Sequence, residues 1–67
     1  MKMYDIFRRS DDGLGPLWMK GEPNLEVAKL EATRLAAQNK KRYFVLDLSN
    51  SKVMYETEVP QNSKPRH

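Results

Sequence analysis

No cysteine occurs in this chain, and its one histidine is His67. Without thiols there can be neither a disulfide nor a thiolate metal site. A lone histidine at the end of a polar, proline-containing segment offers no triad and no preorganised imidazole base. Glycine is scarce as well. Gly13-Leu14-Gly15-Pro16 is too short for a phosphate-cradling loop and runs into a proline, so no nucleotide fingerprint is present. Long apolar runs are missing too: stretches such as Phe44-Val45-Leu46 fall far short of the roughly 20 residues a membrane span needs. The opening Met-Lys-Met-Tyr-Asp leads directly into a charged strand pattern with no signal-peptide apolar core, so a soluble, cytoplasmic protein is expected.

With 67 residues there is room for one domain. A chain of this size buries only about 60% of the surface its unfolded form exposes. Such thin cores often gain support from a disulfide, a metal or a partner. The first is excluded, no metal motif is present, and association remains open.

The formal charge of +3 invites a nucleic-acid reading, but where the charge lies matters more than its size. Lys64 and Arg66 belong to the polar segment Pro60–His67, expected to be a flexible tail. Residues 1–59, expected to form the single folded domain, hold ten Lys/Arg against nine Asp/Glu. The folded part is therefore almost neutral.

Two stretches read as hairpins. Tyr4, Ile6 and Arg8 alternate with Met3, Asp5, Phe7 and Arg9. Ser10-Asp11-Asp12-Gly13 supplies a turn, and Leu17-Trp18-Met19-Lys20 returns. Gly15-Pro16 removes a ladder donor and directs this second strand to an edge. After the helix, Arg42–Leu48 is the strongest strand pattern, Ser49–Lys52 the turn and Val53–Glu58 the return. Between the hairpins, Asn24 is a favourable N-cap and Glu26 suits the positive end of a helix dipole. At about 100° per residue Leu25, Ala28, Ala32, Leu35 and Ala36 form one stripe. Val27, Leu30 and Ala37 lie opposite, where isolated apolar residues are ordinary surface.

These elements make a ββαββ unit of the α+β class, a four-stranded antiparallel sheet with one helix packed on one face. The helix crossover leaves the second and third strands parallel. Placing one strand between them makes every neighbour antiparallel, and order 2-1-3-4 does so with the most apolar strand inside. Order 1-2-4-3 is the alternative, disfavoured by Gly15 and Pro16.

Strand parity is set by keeping charges out of the core, since an unpaired buried carboxylate is expensive. Asp5 and Arg9 send Tyr4 and Ile6 toward the helix. Asp47 does the same for Phe44, Leu46 and Leu48, Lys20 for Leu17 and Met19, and Glu56 and Glu58 for Val53 and Tyr55. The uncovered face then carries Met3, Phe7, Arg9, Trp18, Lys20, Tyr43, Val45 and Met54, with Asp5, Asp47 and Glu56 among them.

Other candidate chemistry is slight. Asp11-Asp12 is explained by turn formation. Asp47-Leu48-Ser49-Asn50-Ser51 lacks the central glycine and the downstream glutamate of a calcium loop. Lys40, Lys41 and Arg42 could contact phosphate, although cations at a helix C-terminus also favour the dipole. No catalytic residue, metal ligand, cofactor, small-molecule substrate or membrane contact is expected. The expectation is a non-enzymatic module that dimerises or binds another protein through Phe7, Arg9, Trp18, Lys20, Tyr43 and Val45, because Trp, Tyr, Phe, Met and Arg are enriched in interface cores. The alternative is a single-stranded nucleic-acid binder in which the same aromatics stack bases.

Overall fold

The computed structural model describes residues 2–10 and 13–58. Its elements are β1 (Tyr4–Arg8), β2 (Leu17–Glu22), α1 (Leu25–Asn39), β3 (Tyr43–Asp47) and β4 (Lys52–Glu56). The strands form one antiparallel sheet in the order β2-β1-β3-β4. Pro16 stands immediately before edge strand β2, where its missing N–H costs the ladder nothing. The expected Asp11-Asp12 part of the first turn and the expected tail Pro60–His67 lie outside the described residues. No helix among the described residues is long and apolar enough to cross a membrane.

Helix α1 starts where its cap dictates. The Asn24 side chain accepts the Val27 N–H at 3.1 Å, and its carbonyl accepts the Ala28 N–H at 2.9 Å. The helix ends at Lys40, which adopts a left-handed conformation (φ 56°, ψ 46°) and donates its N–H to the Ala36 carbonyl at 2.8 Å. The basic run 40–42 thus follows the last helical turn, which itself carries no cation. Glu31 pairs with Arg34 at 2.7 Å and Glu26 with Lys29 at 3.7 Å along the solvent side.

Ala28, Ala32 and Ala36 are buried and meet Tyr4, Ile6, Tyr43 and Val45 of the sheet, with Met19, Leu25, Leu35 and Tyr55 packed around them. Three alanines in a row let the helix backbone approach the sheet closely. The larger side chains supplied by the strands then fill the layer between, each burial contributing about 1.5–3 kcal/mol.

The sheet departs from the expected parity in three places. In β3 the helix-facing residues are Tyr43, Val45 and Asp47, while Phe44 and Leu46 alternate onto the uncovered face. From the sequence alone, Asp47 sets the parity of this strand, on the premise that its carboxylate needs water. Its side chain is only 2% exposed, yet it accepts the Ser49 N–H at 2.9 Å, the Ser49 Oγ–H at 2.7 Å and a Lys2 Nζ–H at 3.3 Å. A satisfied carboxylate at a strand end can be buried cheaply.

The second departure is Lys20. A bulge leaves Met19 as an extra residue between the pairs Ile6–Lys20 and Phe7–Trp18. Lys20 consequently shares the helix side with Ile6 and reaches Glu31 of α1 at 4.0 Å and Glu22 at 3.1 Å. Third, a bulge in β4 lies between the pairs Val45–Tyr55 and Leu46–Val53. Tyr55 stays on the helix side, where its hydroxyl lies 2.9 Å from Thr33 Oγ1, and Val53 crosses to the open side opposite Leu46. Strand β2 also continues two residues past Lys20, through Gly21 and Glu22.

Candidate functional site

The helix covers one face of the sheet, and register maps the other. Paired residues in neighbouring antiparallel strands share a face. One row across the open side reads Trp18, Phe7, Phe44 and Glu56, from β2 through β1 and β3 to β4. The next row reads Gly21, Asp5, Leu46 and Val53. A Cβ on Gly21 would lie 3.1 Å from Asp5 Oδ1 and 3.2 Å from Met3 Cε, so those two side-chain ends lean over Gly21 and would have to give by a few tenths of an ångström to admit one.

Phe7 and Phe44 stack with ring centroids 5.2 Å apart and planes 11° from parallel. The Arg9 guanidinium lies 4.5 Å from the Phe44 ring centre. Glu56 holds that guanidinium by two hydrogen bonds, from Nε at 2.6 Å and from Nη2 at 3.3 Å. Phe44 is buried as a result, although no helix covers it. Such offset rings and cation contacts each contribute on the order of 1 kcal/mol.

What remains accessible is narrower than expected. Trp18 is 56% exposed and Val53 45%, with Met3 beside Asp5 and Phe7 half-buried. Phe7, Arg9 and Trp18 are brought together on this face as the sequence indicates. Tyr43 and Val45 are not: both are fully buried under α1. Lys20 is not there either, being held on the helix side by Glu22 and Glu31. Phe44 and Leu46 take the vacated places. The signal that could have found them is Asp47-x-Ser49, a spacing that lets an aspartate satisfy itself on the following turn. Of the basic run, Arg42 is exposed beside β1, its carbonyl accepting the Arg9 N–H at 2.9 Å, while Lys40 forms the helix cap.

The electrostatics are local and compensated. The Arg9 hydrogen bonds hold the Glu56 carboxyl below its ordinary 4.5, aided by the positive charges of Arg9 and Arg42. Glu56 in turn raises Arg9. The Ser49 hydroxyl and backbone N–H hold Asp47 below its ordinary 3.8. Carboxyls lowered by folding stabilise the native state above their unfolded values, and that contribution is lost as pH falls through the folded ones. The urea midpoint should therefore stay level from neutrality to about pH 5 and decline below 4.5, the ordinary glutamate value. An Asp47→Asn variant should start lower at neutral pH and lose less on acidification. A wild-type midpoint unchanged down to pH 3 would refute the assignment.

Chemically, this face can bury apolar area and exchange a few charges. Among the described residues no cluster of three or more His, Asp or Glu could hold a metal ion. No protein-family model, no curated protein and no solved structure matches this chain.

Proposed function

We propose that this chain is a small non-enzymatic protein-interaction module that binds through the uncovered sheet face, in its simplest form to a second copy of itself. The observation that supports this most is the state of the cation on that face. Arg9 is laid on Phe44 and neutralised by Glu56, so it is committed within the chain. Lys20 is drawn to the helix side. A single-stranded nucleic-acid site needs free cations along a groove and aromatic planes open to bases. Here both cations expected on the face, Arg9 and Lys20, are taken, and Phe44 is occupied by Phe7 and Arg9. An apolar centre with exposed Trp18 and a charged rim instead has the composition of an interface core.

Four strands about 4.8 Å apart and five residues long make a face of roughly 19 by 17 Å. Two such faces bury roughly 650 Å² in projection, below the roughly 1,000 Å² that a stable specific interface clears. Association is accordingly weak and belongs to high protein concentration.

Trp18 emission is the test. It should shift to the blue as protein concentration rises and stay unchanged on adding a mixed-sequence single-stranded oligonucleotide at low salt. A Trp18→Ala variant should unfold within about 0.5 kcal/mol of wild type, as exposed positions usually do, while its association weakens at least tenfold. Salt-sensitive quenching by the oligonucleotide, with no concentration dependence, would overturn the proposal in favour of base stacking.

A further inference from the structure

We infer that two copies pack face to face with their strands running in opposite directions, so that the arginine end of one sheet lies over the Asp5 end of the other. This rests on the proposed self-association and specifies its geometry.

The open face carries different charged groups at its two ends. At one end Arg9 and Arg42 sit on adjacent strands, joined by the Arg9 N–H to Arg42 carbonyl bond of 2.9 Å. Glu56 compensates one of them and has its carboxyl lowered by both. Glu58 lies beyond β4, and among the described residues no ion pair ties it to either arginine. At the other end stands Asp5, two residues along β1 from Phe7 and leaning over Gly21 with Met3. Of the cations at this end, Lys2 is paired with Asp47 and Lys20 with Glu22 and Glu31, while Lys52 stands two strands away on β4, opposite Asp47.

A closed pair of identical faces needs a two-fold axis lying between the sheets. An axis along the strands would stack the arginine end on the partner's arginine end. An axis across the strands reverses one sheet, so that Arg42 of each copy approaches Asp5 of the other, twice by symmetry. Like charges directly opposed cost free energy, and opposed unlike charges select the register. With the Arg42 row over the partner's Asp5 row, the row of Trp18, Phe7 and Phe44 falls on the axis, so each Trp18 lies over the partner's Trp18 and the two indoles can stack.

Charge exchange tests this in the full chain by sedimentation equilibrium. Asp5→Arg alone and Arg42→Asp alone should each weaken association roughly 5- to 10-fold, and the double variant should return to within about twofold of wild type. Far-ultraviolet dichroism checks folding, and the milder pair Asp5→Asn and Arg42→Gln provides a second cycle if a reversal unfolds the chain. A double variant as weak as the singles combined, or an Arg42→Asp variant that associates more tightly than wild type, would overturn the crossed arrangement while leaving self-association intact. A wild-type chain that stays monomeric throughout would overturn both.

Discussion

Replacing Tyr43 by alanine is expected to unfold the domain rather than to weaken a contact. Tyr43 has no exposed surface, packs among the helix alanines and the strand aliphatics, and its hydroxyl accepts a 2.7 Å hydrogen bond from Asn39 Nδ2. Its backbone is equally committed: its N–H donates to Thr57 Oγ1 at 2.9 Å and its carbonyl accepts the Thr57 N–H at 2.8 Å. Truncating a buried aromatic costs about 3–5 kcal/mol. A domain of this size has roughly 3–9 kcal/mol in total, at about 0.05–0.15 kcal/mol per residue. Tyr43→Ala should therefore show little or no cooperative thermal transition by circular dichroism. Tyr43→Phe, which forfeits only the Asn39 hydrogen bond, should lose about 1 kcal/mol. A Tyr43→Ala protein that melts like wild type would place this ring on the open face after all.

Enlarging Ala32 is expected to damage the fold from the opposite direction. Ala32 is fully buried at the middle of the alanine row, with Ala28 and Ala36 one turn to either side. The helix sits close to the sheet because these positions carry nothing beyond Cβ. Ala32→Leu must push the helix outward or force neighbouring side chains from their rotamers, at about 1–3 kcal/mol. Helix propensity does not oppose the change, since leucine is almost as good a helix former as alanine. The loss can therefore be assigned to packing. Ala37→Leu, at an exposed position on the same helix, should leave the urea midpoint nearly unchanged. Equal stability of the two variants would contradict close helix–sheet contact.

The fold was legible because its signals are local and mutually consistent. Asn24 caps the helix it was expected to cap, the stripe from Leu25 to Ala36 faces the sheet, and Pro16 marks the edge strand. The open face was only half legible. Period-two alternation states that Tyr43 and Val45 share a side, but not which side. Choosing by charge failed at Asp47, because three hydrogen bonds from Ser49 and Lys2 make its burial tolerable. Lys20 was misplaced for a different reason. The bulge at Met19 shifts parity within one strand, and nothing in Leu17-Trp18-Met19-Lys20 announces it. Trp18 and Phe7 precede the bulge in register and were placed correctly.

The interaction account depends on where one copy touches another, and backbone amide spectra recorded across a dilution series read that position directly. Between millimolar and micromolar protein, resonances of Phe7, Phe44, Leu46, Val53 and the Trp18 indole should move together along one binding curve. Those of Val27 and Leu30, exposed on the far side of α1, should stay fixed. Spectra independent of concentration, or shifts confined to Val27 and Leu30, would contradict the claim that the uncovered sheet face is the contact surface.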